Sequence, residues 1–294
     1  MSNNHGLNIF RELAGQSEDD WVFGATSEKC RASIPVATRL SYLPQGETQR
    51  GKEDTMDCAS RAPTNILESK FNYLMRNGLL REDEYQWLDD NGYVGSDGIT
   101  FSDAFVAILS GTTQQGNSLK DPLQAIHDYG MVPKKLVPLD PSMTWAQYMS
   151  KDRITEDLLE LGRQFLARFP IFYEKVYTAD MLALVQQDFA DVGGYAWPAR
   201  DATGIYPRVD FPFNHAFVVF GTPEYQVFDN YPETEGDYIK MIAPDYKLLD
   251  YGYRVFIGTP QSTSIPEDEL QSLVDKLLTL LFDFVKKLLQ LLHV

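Results

Sequence analysis

Asp54–Met75 reads DTMDCASRAPTNILESKFNYLM, a polar run that gives way at Cys58 to an apolar pattern with helical spacing. Ile66, Leu67, Phe71, Leu74 and Met75 recur at three- and four-residue intervals, and Gly78 supplies the stop. Pro63 lies close enough to the start for a helix to carry it, although it loosens the first turns. The spacing predicts a helix from Cys58, with the cysteine in its first turn. A thiol placed there lies at the positive end of the helix dipole, which favours the thiolate. One other cysteine, Cys30, occurs among the 294 residues.

Outward from this helix the chain divides by texture. Residues 1–45 carry short apolar runs such as WVFGA and ASIPVATRLSYL, broken by Gly and Pro, and read as an extended arm packed on the main body. Further helical stretches follow at REDEYQWLDD, FSDAFVAILSG, LKDPLQAIHDYG and TEDLLELGRQFLARF. After about residue 170 the segments become short and rich in aromatic and β-branched residues: IFYEKVYTA, GGYAWPA, HAFVVFG, YQVFDNY, YIKMIAP and YGYRVFIG. These read as strands of an antiparallel sheet or barrel. Helices first and strands second predict an α+β domain of two lobes over residues 46–260.

Residues 261–294 stand apart. SIPEDELQSLVDKLLTLLFDFVKKLLQLLHV opens with a capping-box pattern, Ser264 to Glu267, and predicts an amphipathic helix with a narrow polar stripe. Its charges interrupt it too often for a membrane span. Its wide apolar face calls for cover, by its own domain, by self-association or an assembly partner, or by a membrane surface.

Composition narrows the function. An apolar content of 44% marks a globular chain. Two cysteines without a CxxC pair exclude a disulfide framework and a thiolate zinc site, and suit a reducing compartment. A net charge of −16 repels phosphate backbones, so nucleic acid is not an expected partner; solubility is its simplest meaning. The N-terminus lacks the apolar core of a signal peptide, which points to a cytoplasmic or particle-associated protein. DDNGYVGSDGITFSD has the residues of a calcium loop without their spacing and reads as a polar turn. No metal or cofactor is expected.

Four histidines occur. His5 and His293 lie at the ends, and His127 sits in a helical stretch as an ordinary surface or core residue. His215 enters a strongly apolar strand in PFNHAFVVFG, where a structural role is the commoner one. Its company changes that balance. Two antiparallel strands joined by GTPE bring Asp229 or Asn230 back beside it, and either fixes the imidazole in one tautomer. Cys58, His215 and Asp229 or Asn230 supply a nucleophile, a base and an orienting group.

Over roughly residues 45–257 the chain resembles the papain-like cysteine peptidases. Cys58 opens the first long helix, LQAIHDYGMVPKKLVPLD resembles a family helix and turn, FNHAFVVFG the histidine strand, and YQVFDNYPE the strand that carries Asn-Ser-Trp. DTMDC, LSGTTQQGNS and VFDNY are similar to a divergent branch found in bacteriophage and bacteria. The resemblance implies Cys58 as nucleophile and His215 as base. It implies Asp229 as orienting group, because Tyr231 then stands where the family places a shielding tryptophan; simple strand registration favours Asn230 instead. It implies an oxyanion hole from the Cys58 N–H and Gln49, with Gln45 in reserve. Gly116 and Asn117 match the strip that pairs with substrate backbone, although a plain turn also explains QQGNS. Tyr195 and Trp197 are candidates for a side-chain pocket, with core packing as their simpler role. Ala59 replaces the usual tryptophan, and Asp57 beside the nucleophile opposes a thiolate unless it points away. Cys30 reads as a bystander, with pairing to Cys58 left open.

The expected activity is hydrolysis of peptide or isopeptide bonds in a peptide or protein substrate, in a chain associated with a phage. Two alternatives remain: an inactive papain-like module serving structure or assembly in a virion, and a peptidoglycan hydrolase.

Overall fold

The structure, a computed structural model, describes residues 6–14, 22–24, 30–222, 225–232, 234 and 236–259. The expected C-terminal helix, His5 and His293 lie outside the described residues. Eight α-helices are present among the described residues: α1 (Ile9–Ala14), α2 (Cys58–Arg76), α3 (Glu82–Asp90), α4 (Asp103–Leu109), α5 (Lys120–Tyr129), α6 (Trp145–Tyr148), α7 (Glu156–Arg168) and α8 (Thr178–Gln187). Six strands follow or flank α8: β1 (Ile171–Tyr177), β2 (Ala190–Gly194), β3 (His215–Gly221), β4 (Tyr225–Phe228), β5 (Ile239–Ile242) and β6 (Tyr251–Ile257).

Helix α2 starts at Cys58, as its spacing predicts, and runs through Pro63 without a break. It ends in a Schellman arrangement. Gly78 takes φ +63°, its N–H bonds the Met75 carbonyl, and the Leu79 N–H bonds the Leu74 carbonyl. Ile66, Leu67, Phe71 and Leu74 are wholly buried in a core shared with Phe101, Phe165 and Phe169 of the helical part. The same core takes in Val218 and Phe220 of β3 and Val255 and Ile257 of β6, so α2 lies between the helices and the sheet. At its far end Lys70 pairs with Asp188 at 2.5 Å, and Asp188 also accepts from Arg254 at 2.9 Å. These buried partners answer each other's charge and fix α2 against β6.

The sheet is antiparallel throughout, in the order β1-β6-β2-β3-β4-β5. It has two ends and is open, so of the sheet-or-barrel alternatives the sheet is realised. Its second face is covered by α8, an element the strand pattern hides, through Met181, Leu184 and Val185 on Val192, Phe217 and Val219. The strand expected at GGYAWPA begins earlier: β2 runs Ala190–Gly194 and stops where that stretch starts.

Residues of the N-terminal arm pack on this body. Leu7 bridges Asn117, α1 follows, Cys30 bridges Gly258, and Val36–Tyr42 forms a 3-10 helix. Arg39 in that helix is fully buried and donates to the carbonyls of Ile34 and Phe220. Cys30 and Cys58 are both free thiols, which closes the pairing left open above. No helix among the described residues is long and apolar enough to cross a membrane.

Candidate active site

Three elements converge at one corner of the sheet. Cys58 is the first residue of α2, where backbone N–H groups have no partner in the helical ladder. Its sulfur accepts the Ala216 N–H at 3.3 Å and shares a hydrogen bond with the His215 ring. His215 begins β3 and is completely buried. Its Nε2 lies 2.5 Å from Asp229 Oδ1, and Asp229 stands one residue beyond the end of β4.

A single bulge decides that Asp229, and not Asn230, faces the histidine. Val218 pairs with Phe228 and Val219 with Val227, but Gly221 pairs with Gln226, so Phe220 is the extra residue. Without it, the register near Gly221 would carry Asn230 to the His215 face; with it, Asp229 lands there. Asn230 turns the other way, accepting from Asn65 of α2 at 2.5 Å and donating to the Glu47 carbonyl at 2.8 Å. Simple strand registration, which favours Asn230, fails because the bulge shifts it by one residue.

The charges are arranged around an imidazolium. Burial alone pushes the His215 ring down, but the Asp229 carboxylate and the Cys58 sulfur more than reverse this, raising it to about 10. Burial works against the Asp229 carboxylate too, yet His215 and Lys240 hold it well below the usual range. For Cys58, burial pushes the thiol up and the His215 charge pulls it back, leaving it raised while the site is covered.

Asp57 bonds to groups other than Cys58, although its charge still adds to the raised thiol. Its Oδ1 accepts from Thr55 Oγ1 at 2.5 Å and Arg61 Nε at 2.8 Å, and its Oδ2 accepts the Tyr148 hydroxyl. Arg61 also faces Asp103 at 3.1 Å, and burial raises the Asp103 carboxyl to about 6. The carboxylate beside Cys58 is thus answered by a buried guanidinium. Met56, two residues before Cys58, takes φ +57° and sets up the turn into the helix.

Gln49 is buried beside the nucleophile's leader, its backbone bonding Thr55 and Asn230. Its side-chain amide donates to Asp54 Oδ1 at 2.9 Å, a partner the sequence does not announce. Gln45, its reserve, lines a separate cavity of about 200 Å³ with Glu47, Glu68 and Asn72. The Tyr195 ring meets that of Phe211 at a tilt, and its carbonyl accepts the Tyr246 hydroxyl. The Trp197 indole N–H donates to Asp229 Oδ2 at 2.8 Å, and its ring meets His215 edge-on at 6.1 Å. Tyr231 flanks the other side of His215, with ring centroids 5.5 Å apart. His127 bonds the Ile171 carbonyl, away from this group in sequence and role. No cluster of metal-ligating side chains occurs among the described residues.

The strip at Gly116 and Asn117 is occupied by the chain itself. The Asn117 N–H donates to the Gly6 carbonyl and the Asn8 N–H donates to the Asn117 carbonyl, both at 2.8 Å. The Leu7 N–H donates to the carbonyl of Asn214, the residue before His215, at 3.2 Å. Gly116 has φ +90°, and a Cβ there would stand 1.8 Å from the Gly6 carbonyl oxygen. Gly6 itself has φ +110°, and a Cβ on it would meet Cys58 Sγ at 3.0 Å. Gly6–Asn8 therefore lies over Cys58, with Leu7 in an isolated parallel bridge to Asn117. The sequence gives no pattern for this, because three residues are too few to show a period.

No protein-family model matches the chain, and no curated protein does. Solved structures do. Xylellain, a cysteine protease from Xylella fastidiosa, is 12% identical, with a TM-score of 0.56 over 88% of this chain and 96% of its own. The Amb a 11 cysteine protease of ragweed pollen, in its proform, is 13% identical with a TM-score of 0.50, over 88% of this chain and 76% of its own. Procathepsin B S9 from Trypanosoma congolense is 11% identical with a TM-score of 0.50, over 87% and 86%. The fold is papain-like.

Proposed function

We propose that the chain is a thiol hydrolase cleaving peptide or isopeptide bonds, held in check by its own N-terminal strand. The observation that carries this is the buried relay from Cys58 through His215 to Asp229. Cys58 Sγ attacks the carbonyl carbon as thiolate, and the negative charge passes to the carbonyl oxygen beside the Cys58 N–H at the start of α2. His215 then gives its proton to the leaving amine, which departs as the thioester forms. Water, deprotonated by His215, attacks the thioester; the acid leaves and the thiol–imidazole pair is restored. Asp229 keeps the ring oriented throughout and stays ionised.

Peptide chemistry is favoured by what lies in the cleft. Gly6–Asn8 uses three backbone hydrogen bonds to Asn117 and Asn214, the interaction an extended polypeptide offers and a glycan does not. Two of the structurally similar proteases are proforms, and in this chain the segment ahead of Cys58 covers it. Cys58→Ala tests the mechanism. The variant should keep its circular dichroism and melting temperature, and should lose at least about a thousandfold in cleavage of a peptide library. Cleavage retained in this variant overturns the reading.

A further inference from the structure

Lys240 is 1% exposed on β5, in the strand IKMI, and faces inward while its apolar neighbours Ile239 and Met241 are exposed. Burying an ammonium is costly unless it is paired. Its partners are Asp229 Oδ2 at 2.9 Å and the Asp237 carbonyl at 2.8 Å, with the Trp197 ring 5.2 Å away. The cation thus sits on one carboxylate oxygen while His215 holds the other. β5 places it there because Lys240 pairs with Val227, on the same face that Asp229 reaches two residues later.

An isolated buried carboxylate beside His215 would bind the imidazolium too well. The ring must hold a proton to keep the thiolate and release it to the leaving amine, and a partner that is too anionic impairs the second step. We propose that Lys240 is a positioning residue of the thiol–imidazole pair, its ammonium cancelling the charge of Asp229 so that the carboxylate orients His215 without over-stabilising its proton. This rests on the thiol-hydrolase reading above. The titratable or charged groups around the pair are Cys58 on α2, Asp229 after β4, Lys240 on β5, Tyr231 beside the ring and Tyr246, which feels the Asp229 charge. Asp57 is bound to Arg61 but its charge still adds to the raised Cys58 thiol, and Asp54 and Arg50 both interact with Tyr231.

The test is the pH dependence of Cys58 alkylation by iodoacetate on the full chain, whose anion reacts best with a thiolate–imidazolium pair. The profile has an acid limb, where the pair forms, and an alkaline limb, where the imidazolium is lost. A nearby positive charge lowers both limbs and a negative charge raises both. Lys240→Met should therefore move both limbs up by about one pH unit, and Asp229→Asn should move both down by a similar amount. Asp229→Asn with Lys240→Met, which removes both charges, should return the limbs to about their original positions. Any pH dependence of the covering strand is common to all four proteins. Limbs that stay put in Lys240→Met, in a protein whose near-ultraviolet circular dichroism is native, overturn the proposal and leave Lys240 a packing residue. Should Lys240→Met fail to fold, the double variant decides: limbs matching those of Asp229→Asn alone overturn the proposal. A wild-type profile with the single ionisation of an ordinary thiol instead overturns the hydrolase reading itself.

Discussion

The Gly6 α-carbon faces the Cys58 sulfur so closely that a Cβ built on it would stand 3.0 Å from that atom. Covering strand and nucleophile are fitted to each other at a point where only glycine is accommodated. Everything that loosens the strand should therefore register at the thiol.

Gly6→Val forces a branched side chain into φ +110° and against Met56 and Cys58. A strain of about 1–2 kcal/mol is expected, which shifts the covered-to-open balance about five- to thirtyfold. Iodoacetamide should label Cys58 faster by that factor in the variant. An unchanged rate would mean that the strand does not limit access.

Docking of α1 should weaken as pH rises. Glu12 is 2% exposed; it accepts the Leu119 N–H and the Tyr251 hydroxyl and is faced by Asp121, Lys175 and the buried Asp191. Burial raises both carboxyls, Asp191 well above its ordinary value, with the Glu12 charge adding to that shift. The docked state therefore binds protons more tightly than the free arm. Its stability is fully present below the ordinary carboxylate range and is lost as pH climbs from there toward the raised values. Hydrogen-exchange protection of the Asn8 amide, corrected for intrinsic rate, should fall between acid and neutral pH. Glu12→Gln should flatten that slope, and a slope that persists unchanged would exclude Glu12 as its source.

Arg61 answers two carboxylates, the buried Asp57 and the partly buried Asp103. Arg61→Leu should cost about 3–5 kcal/mol in denaturant unfolding, since breaking a buried pair leaves its partner uncompensated. Asp57→Asn in the same chain should recover part of the loss. A cost near zero would show that the network is replaceable by apolar packing.

Asp229→Ala and Asn230→Ala should separate cleanly. The first removes the orienting group and should lower turnover about a hundredfold or more. The second breaks a contact between α2 and the Glu47 loop and should cost about 1–2 kcal/mol of stability with turnover of the folded enzyme little changed. Equal losses of turnover would mean that the bulge at Phe220 does not hold in solution.

Most of the framework was legible because it rests on long periods. The apolar spacing from Ile66 to Met75 and the stop at Gly78 are many-residue signals, and α2 follows them. The six strands announce themselves by β-branched and aromatic residues, except at the start of β2, where a short ADVGG run with Asp191 and two glycines offers few of them. Helix α8 is masked by the strand texture of IFYEKVYTA just before it. At the site, Cys58 and His215 could be named from residue type and position. The choice between Asp229 and Asn230 could not be derived from spacing alone, because one inserted residue in a strand reverses its faces and leaves no mark on composition. Lys240 was invisible for a related cause: in IKMI, alternation assigns the lysine to solvent, and the sheet assigns it to the interior.

The strand over Cys58 is part of the same molecule, so it competes with substrate as a tethered ligand. A short tether gives its ligand an effective concentration on the order of millimolar, independent of how dilute the protein is. A free peptide that binds the Asn117 strip more weakly than that cannot displace it at ordinary concentrations. On the thiol-hydrolase reading, dilution will not activate the chain, and added substrate will do so only if it binds unusually well. On that reading, what governs the timing of its activity is whatever detaches or cuts residues 6–14.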